Sequence, residues 1–373
     1  MSQPNLSRPL PDGIILFHIF SDAARQHTGV TLLVQTMKAL QIESEGVSAV
    51  RDIPAPVPAE GEVLVRVRHV GLCGSDLNTF KGMNPLAKLP RIPGHEIGGE
   101  IAGVGAGVPA EYAIGKRVIV MPYTNCGTCS SCLKGRLNAC KFNRTLGVQQ
   151  EGGLSEFVAL PYGKLIINDT LAPRHLALVE PLSVGFHAAA RGRVSPGDKV
   201  VVIGCGMIGM GAVAGAAHYG AEVIAVDVGT EKTALALKFG AAHAVDASAP
   251  DVQEQILALT DGHGADVVIE AVGLPLTFTQ AIDWVGFAGR VVYVGYAKEP
   301  VAYQTQFFNL KELDIMGSRN ATMADFEAVI QFLEKQQHTD QLISKVFSMQ
   351  DAAQALPYWE AERRNTLKVL IEC

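Results

Sequence analysis

The feature that most constrains the fold is one pattern that recurs between residues 181 and 320. Five short runs of apolar residues alternate there with helix-like stretches; the runs are KVVVIG, EVIAVD, ADVVIEAVG, GRVVYVG and LDIMGS. Continuous apolar runs of this length are typical of strands buried on both faces of a sheet. Because strands that alternate with helices pair in parallel, the pattern predicts an α/β domain with a doubly wound parallel sheet over residues 181–320.

The other parts of the chain have a different texture. Residues 37–180 contain short strand-like alternations and scattered glycines, which predict a mainly β domain. Residues 321–373 begin with an amphipathic helical pattern and end on the strand-like LKVLIE, which we expect to return to the β domain. We expect the folded unit to start at Met37 and residues 1–36 to be an extension, with an ordered extra strand as the alternative.

Composition narrows the classes of function. The 373 residues are 48% hydrophobic and 18% charged, which excludes a disordered chain. A formal net charge of −6 without a long basic run argues against a nucleic-acid partner. No stretch approaches the roughly 20 apolar residues of a membrane helix, and the short run GIILFHIF has no cleavage site after it. We therefore expect a cytoplasmic protein with neither a membrane nor a nucleic acid as its partner.

A glycine motif follows the first of the buried strands. The segment VVIGCGMIGMG places Gly204, Gly206 and Gly209 between a strand and a helix. Glycines in this context let the backbone approach a pyrophosphate at the positive end of the helix. The next predicted strand ends at Asp227, whose carboxylate would bind ribose hydroxyls and repel a 2′-phosphate. The motif predicts a site for NAD in preference to NADP; the alternative is a glycine-rich turn without a nucleotide.

Four of the seven cysteines lie within fifteen residues, in the pattern C-x2-C-x2-C-x7-C. In a large apolar chain such a cluster points to a metal rather than to disulfide bonds. Four thiolates fill the coordination shell of a tetrahedral ion, which describes a structural zinc site, and an iron–sulfur cluster is the alternative. The predicted ligands, in a lobe over about residues 122–145, are Cys126, Cys129, Cys132 and Cys140.

A second metal site can be assembled from three separate segments. GLCGSD supplies Cys73, PGHEIGG supplies His95 and Glu96, and LVEPLSVG supplies Glu180. A lone cysteine or histidine is more often a core residue, but both lie here in glycine-flanked segments. A thiolate, an imidazole and a carboxylate make three zinc ligands and leave one position for a substrate oxygen, which is the pattern of catalytic zinc.

Together these motifs resemble the zinc-dependent medium-chain dehydrogenases over nearly all of residues 37–373. The matching elements are GLCGSD, GHE, the four-cysteine lobe, GGLSEF, EPLSVGFHA and GCGMIG. EPLSVGFHA is most similar to the polyol (sorbitol) branch, and GSRNAT to sugar-acid members such as galactonate and gulonate 5-dehydrogenases. The resemblance implies a GroES-like β domain (residues 37–180 and 321–373), a Rossmann domain (residues 181–320), an active site in the cleft, and a homodimer or homotetramer.

The resemblance also implies two zinc ions per chain and particular roles for site residues. Glu96 and Glu180 would bind the catalytic zinc directly or through water, beside the cysteine and histidine ligands. Ser75 would stand at the position of the proton-relay hydroxyl, and Asp76 would accept a hydrogen bond from the ring N–H of His95. Besides the three glycines and Asp227, the residues expected at the NAD site are Met207, Ile208, Val272, Gly273, Gly295 and Ser318.

The implied reaction transfers a hydride between a secondary alcohol and NAD. Zinc would lower the pKa of the bound hydroxyl group, and Ser75 would pass its proton outward. Many relatives end this relay with a histidine, but Asn78 stands at that position here and cannot act as a base. The relay must then end in water or in another residue, such as His187.

Arg319 is the residue that we expect to recognise the substrate. It follows the predicted strand LDIMGS, at the sheet edge where ligands bind, and its guanidinium group could clamp the carboxylate of a sugar acid. It could instead contact the cofactor or backbone. Lys81, Lys88 and Arg91 are better interpreted as a solvated loop face. The alternatives are a polyol or general alcohol dehydrogenase, a zinc-free reductase with the same fold, and a non-enzymatic NAD-binding protein.

Overall fold

The computed structural model describes residues 36–373 of the chain, and most of its strands lie in two large sheets. Of the extension predicted over residues 1–36, residues 1–35 lie outside the described part, and Thr36 begins the first strand. The strands are β1 (Thr36–Ser44), β2 (Val47–Pro54), β3 (Glu62–Gly71), β4 (Glu96–Val104), β5 (Arg117–Val120), β6 (Tyr123–Thr124), β7 (Arg144–Thr145), β8 (Phe157–Pro161), β9 (Leu165–Ile167), β10 (Lys199–Ile203), β11 (Glu222–Asp227), β12 (His243–Asp246), β13 (Ala265–Glu270), β14 (Val285–Tyr293), β15 (Asp314–Gly317), β16 (Ile343–Ser348) and β17 (Lys368–Glu372).

The α-helices lie mostly between the strands of the second half of the chain. They are α1 (Gly74–Phe80), α2 (Ser130–Leu133), α3 (Pro173–Leu176), α4 (Val179–Arg191), α5 (Met207–His218), α6 (Glu231–Lys238), α7 (Val252–Leu259), α8 (Pro275–Trp284), α9 (Gln306–Leu310), α10 (Met323–Leu333) and α11 (Ala355–Ala361). Among the helices of residues 36–373, none has both the length and the apolar character that a membrane span requires.

The seven-stranded sheet has the order β16-β17-β3-β4-β5-β9, and β8 pairs with the other part of β3. Its strands pair antiparallel except for β16 and β17, which are parallel to each other. The apolar side chains of β3 point into a core with 0% exposure at Val63, Val65 and Val67. Strand β17 pairs with β3, so the last strand of the chain lies beside the segment that leads to Cys73.

The six-stranded sheet has the order β12-β11-β10-β13-β14-β15, and every pair in it is parallel. Its central strand β10 is buried on both faces, with 0% exposure at Val200, Val201 and Val202. The strand order reverses between β10 and β13, and doubly wound sheets bind their ligands in the crevice at that point. The fold class predicted from the sequence is confirmed.

Helix α10 joins the parallel-sheet side of the molecule. Its N-cap Thr322 and the carboxylate of Asp325 form a capping box, which satisfies free backbone N–H groups of the first turn. Phe326 and Val329 are fully buried in the core that also contains Phe186 of α4. The sequence analysis placed residues 321–373 in the β domain. In the structure this segment is divided: α10 packs on α4, whereas β16 and β17 lie in the seven-stranded sheet.

Candidate active site and metal centres

The loops of Cys73 and His95 are joined by one buried carboxylate. Cys73 is the N-cap of α1, and its backbone N–H donates to Oδ2 of Asp76 at 2.8 Å. The other oxygen of Asp76 accepts the backbone N–H of Gly94 at 3.2 Å. The expected hydrogen bond from the ring of His95 to Asp76 is not formed: within residues 36–373 His95 Nδ1 has no hydrogen-bond partner, and the two Asp76 oxygens accept from the backbone.

Three of the predicted zinc ligands lie together. Cys73, His95 and Glu96 each offer a ligand atom, and these atoms all lie within 4.8 Å of one another. His95 is 5% exposed and Glu96 is 1% exposed. Burial lowers the pKa of His95, but the negative charges of Cys73, Asp76 and Glu180 outweigh this and hold its pKa well above the usual value. A buried, negative, sulfur–nitrogen–oxygen donor set with an unpartnered ring nitrogen fits a zinc ion.

Glu96 also forms a buried ion pair that the sequence did not predict. The Nζ of Lys368 lies 2.7 Å from Oε1 and 2.6 Å from Oε2 of Glu96, and it donates to the carbonyl oxygen of Leu72 at 2.9 Å. A Cβ atom on Gly71 would lie 1.9 Å from Oε2, so only glycine fits beside this carboxylate. Burial raises the pKa of Glu96 to about 7, although the charge of Lys368 lowers it.

Glu180 stands in the first turn of α4, outside the group of three ligand atoms. Its Oε1 accepts a hydrogen bond from the hydroxyl of Tyr123, and both side chains are buried. Burial and the charge of Glu180 raise the pKa of Tyr123 well above its usual value, so Tyr123 remains a hydrogen-bond donor. Tyr123 was not predicted as a site residue, because a tyrosine at the end of an apolar strand is also typical of a core.

The expected proton relay begins at Ser75 and was expected to end in water or in another residue, such as His187. The hydroxyl oxygen of Ser75 is buried and has no hydrogen-bond partner in the described part of the chain, and Asn78 is half-buried three residues later. His187 is not free to end the relay. Its Nδ1 lies 2.9 Å from Oδ2 of Asp325, and its Nε2 lies 2.9 Å from Nδ2 of Asn138.

The four predicted structural ligands form one compact group. Their sulfur atoms all lie within 4.8 Å of one another, with separations of 3.5, 3.6 and 3.8 Å between three of the pairs. A tetrahedral zinc ion with Zn–S bonds of about 2.3 Å needs sulfur separations of about 3.8 Å. A hydrogen bond from Ser131 and others from the backbone lower the pKa of Cys129 to about 5, which favours the thiolate. Spacing and distance fit zinc.

A cleft of about 340 Å³ extends from the catalytic cluster to the glycine motif. Cys73 and Glu96 line one end, while Gly204, Gly206 and Asp227 line the other. A Cβ on Gly206 would meet no atom within 4 Å, so its open face leaves room for a ligand against the backbone. The cleft is also lined by Met207, Ile208, Lys232, Val272, Arg363 and Lys368. Of these, Lys232, Arg363 and Lys368 were not predicted as site residues.

Gly209 and Asp227 shape the turn at the start of α5. A Cβ on Gly209 would lie 1.7 Å from the carbonyl oxygen of Gly204, so the helix can approach the strand only with glycine at this position. Oδ2 of Asp227 accepts the backbone N–H of Cys205 at 2.6 Å, and Oδ1 accepts that of Val228 at 2.7 Å. Asp227 thus holds the turn in place with its carboxylate at the rim of the cleft.

Gly273, Gly295 and Ser318 do not line the cleft, but they lie at the ends of the neighbouring strands β13, β14 and β15. The buried carboxylate of Glu270 accepts the backbone N–H groups of Val272 and Gly273 at 2.9 and 2.8 Å. A Cβ on Gly295 would lie 2.4 Å from the nitrogen of Gly273. The loops that follow β13 and β14 therefore pack backbone to backbone at the carboxyl edge of the sheet.

Arg319 lies against the four-cysteine lobe. Its guanidinium group donates to the carbonyl oxygen of Cys140 at 3.2 Å, which fixes it against the four-cysteine lobe. The expected clamp on a substrate carboxylate stays a prediction. Lys81 pairs with Glu360 at 2.5 Å at the protein surface. The side chain of Arg91 pairs with Glu151 at 2.7 Å but is only 12% exposed, so Arg91 does not belong to a solvated face.

Comparisons with known proteins agree with this geometry. The family model described as alcohol dehydrogenase GroES-like domain matches residues 59–168, and that described as zinc-binding dehydrogenase matches residues 208–335. The chain is 33% identical to a sorbitol dehydrogenase of Halalkalibacterium halodurans, over 90% of this chain and 99% of that protein. It is 37% identical to the L-galactonate-5-dehydrogenase of Escherichia coli, over 74% of this chain and 80% of that protein.

A solved structure shows the same fold. It is a zinc-binding dehydrogenase from Sinorhizobium meliloti bound to NADP, with 31% identity and a TM-score of 0.84, covering 91% of this chain and 99% of that one. The chain belongs to the zinc-dependent medium-chain dehydrogenases. The family resemblance inferred from the motifs is confirmed, and this dehydrogenase is an enzyme that acts on CH–OH donors with zinc and NAD(P) as cofactors.

We predict that Cys129→Ser removes one of two zinc ions per chain. Structural zinc contributes folding free energy of about 10 kcal/mol in small zinc-finger peptides, so the variant is expected to unfold at a lower temperature. Metal analysis and thermal unfolding measure the two effects. The control is Cys205→Ala, which removes a buried thiol outside both clusters and should keep both ions. Full zinc content in Cys129→Ser would contradict the ligand assignment.

We predict that Lys368→Met lowers the free energy of unfolding by about 3–5 kcal/mol, because it leaves the Glu96 carboxylate buried without its partner. Urea-induced unfolding measures the change, and adding Glu96→Gln should restore part of the loss. Lys116→Met breaks the exposed pair with Asp169 and should have little effect. Equal effects of Lys368→Met and Lys116→Met would show that burial of the first pair does not matter.

Proposed function

We propose that this dehydrogenase transfers a hydride between NAD and a secondary alcohol of a polyol or sugar acid. The observation that carries the proposal is the cleft that has Cys73 and Glu96 at one end and the glycine motif with Asp227 at the other. A hydride can pass between two molecules only when they are held in contact. A group of metal-ligating residues and a dinucleotide-binding glycine motif in one cleft supply that arrangement.

When bound, zinc polarises the alcohol oxygen and the nicotinamide ring accepts the hydride. The residues of the chain position these groups and move the proton. Asp76 holds the loops of Cys73 and His95 together, and Lys368 holds the carboxylate of Glu96. The unpartnered hydroxyl of Ser75 accepts the proton of the substrate and donates its own outward, and water completes the path past Asn78.

The substrate class rests on the named relatives and on the wall of the cleft. Sorbitol and L-galactonate dehydrogenases are among the proteins to which the chain is similar, and both names describe polyhydroxylated carbon chains. The guanidinium group of Arg319 already donates to the carbonyl oxygen of Cys140, so Arg319 alone does not decide between a polyol and a sugar acid. We therefore propose that the substrate is a polyhydroxylated secondary alcohol. The screen of polyols and aldonates described below distinguishes a terminal alcohol from a terminal carboxylate.

We also propose that the dehydrogenase is a homodimer or homotetramer. Strand β15 is an edge of the parallel sheet, and within the described residues its outer side is free for a second copy. Edge strands are generally protected or paired, because their free N–H and C=O groups favour strand addition. Light scattering coupled to gel filtration measures the mass of the assembly, and a strictly monomeric enzyme would contradict this assignment.

A screen of polyols and aldonates with NAD, followed at 340 nm, tests the proposed reaction. Within it, we predict that Ser75→Ala lowers kcat by about 10²-fold or more, because the proton loses its carrier. NADH affinity and zinc content should stay at wild-type values, which separates proton transfer from binding. Turnover of Ser75→Ala at the wild-type rate would refute the relay, and no turnover of any substrate by the wild type would refute the function.

We predict that wild-type enzyme prefers NAD and that Asp227→Ser raises the ratio of kcat/KM for NADP to that for NAD by at least about tenfold. The carboxylate would otherwise lie against a 2′-phosphate and repel it. Asp246→Ser is the matched control, since Asp246 ends the adjacent strand β12, opposite Asp227, and does not line the cleft. An unchanged ratio in Asp227→Ser would remove Asp227 from cofactor selection.

A further inference from the structure

The four-cysteine lobe is tied to the parallel sheet at one buried point. Asn138 lies two residues before Cys140, and Nδ2 of Asn138 donates to the carbonyl oxygen of Arg319 at 2.9 Å. In the opposite direction, Nδ2 of Asn320 donates to the carbonyl oxygen of Asn138 at 3.0 Å. The guanidinium group of Arg319 donates to the carbonyl oxygen of Cys140. We name residues 318–322 the edge turn, because they follow the edge strand β15.

The hydrogen bonds of this contact form a consistent set. The Nδ2 of Asn138 has two hydrogens, and one of them reaches Arg319, so the other is available to Nε2 of His187 at 2.9 Å. His187 then carries its proton on Nδ1 and donates it to Oδ2 of Asp325 at 2.9 Å. Asn138, His187 and Asp325 are 6%, 9% and 4% exposed, so each bond replaces a lost contact with water.

The edge turn needs such a tie because its backbone is strained. Asn320 has φ +53°, in the left-handed region that is costly for residues with a side chain, although asparagine tolerates it better than most. A turn of this kind persists when surrounding contacts hold it. The contacts with Asn138 and Cys140 in the lobe supply that support.

The edge turn belongs to the same sheet edge as the cofactor cleft. Val272, after β13, lines the cleft, and Gly295, after β14, packs on the backbone of Gly273. Ser318, the first residue of the edge turn, donates its backbone N–H to the carbonyl oxygen of Tyr293 at 2.9 Å. Backbone contacts thus join the edge turn to the end of β14, and the loop after β14 to the loop after β13, which lines the cleft through Val272. A shift of the edge turn would reach the wall of the cleft along this path.

We propose that Asn138 is a positioning residue for the cofactor: it fixes the edge turn, and through it the wall of the cleft, to the four-cysteine lobe. The lobe then contributes to nucleotide affinity as well as to stability. The proposal rests on the proposed function, because it assumes that the cleft binds NAD.

The test compares two asparagines of the same lobe. Asn138 and Asn143 are similarly buried, at 6% and 8% exposure, but Nδ2 of Asn143 bonds only to Thr145, two residues away. We expect Asn138→Ala to raise the dissociation constant of NADH about tenfold, since two hydrogen bonds to the edge turn and α4 are lost. In Asn143→Ala the dissociation constant of NADH should stay within twofold of the wild-type value. NADH fluorescence measures binding directly, and metal analysis should find two zinc ions in both variants.

A second variant tests the same contact if Asn138→Ala folds poorly. Asn320→Gly keeps a backbone that tolerates positive φ and removes the side-chain hydrogen bond to Asn138, so we expect the variant to fold, and thermal unfolding checks this. We expect NADH binding to weaken about fivefold. The KM for NAD should rise in both variants while kcat stays within twofold, because the lost interaction acts on binding rather than on the transition state.

Three results would overturn the proposal. One is wild-type NADH affinity in both Asn138→Ala and Asn320→Gly. Another is an equal loss of affinity in Asn143→Ala, which would indicate general damage to the lobe. The third is a loss of zinc in parallel with the loss of binding. If the wild-type protein itself binds no nucleotide, the proposed function fails, and that result is distinct from these three.

Discussion

The buried ion pair between Lys368 and Glu96 connects the last strand of the chain to the catalytic cluster. Nζ of Lys368 contacts both carboxylate oxygens and the carbonyl oxygen of Leu72, the residue before Cys73. A buried ion pair contributes little net stability compared with apolar residues of the same size, but loss of one partner is costly. Its position is therefore better explained by the site, where the Glu96 carboxylate must be held in a fixed orientation beside Cys73 and His95.

Backbone geometry around this pair follows from the same requirement. Gly71 has no side chain because a Cβ would collide with Glu96, and Asp76 uses both oxygens to hold the backbone at Cys73 and Gly94. The ligand residues of the catalytic cluster are thus positioned by hydrogen bonds between their backbone segments and the side chains of Asp76 and Lys368. This arrangement positions ligand atoms more tightly than contacts between flexible side chains alone, because each loop is fixed at its backbone.

The second half of the molecule uses the same principle at the edge of the parallel sheet. Glu270 binds the backbone of the loop after β13, and Asn138 binds the backbone of the edge turn after β15. Asp227 binds the glycine turn after β10. Each is a buried or half-buried polar side chain that satisfies N–H or C=O groups that regular strands leave unpaired. Loops at the carboxyl edge of the sheet are thereby kept rigid around the cleft.

Features that depend on spacing along the chain could be predicted from the sequence. The glycine motif and the four-cysteine pattern each lie within a short segment whose chemistry follows from its residues alone, and the alternation of strands and helices repeats along residues 181–320. Cys73, His95 and Glu96 could also be proposed, because glycine-flanked segments and the family resemblance mark them. Which groups face each other across long separations along the chain became visible in the folded structure. Lys368 lies 272 residues from Glu96, and Arg319 lies 179 residues from Cys140. Side chains of lysine and arginine are long enough to reach several neighbours, so their partners depend on how the sheets are placed, and no local pattern carries that information.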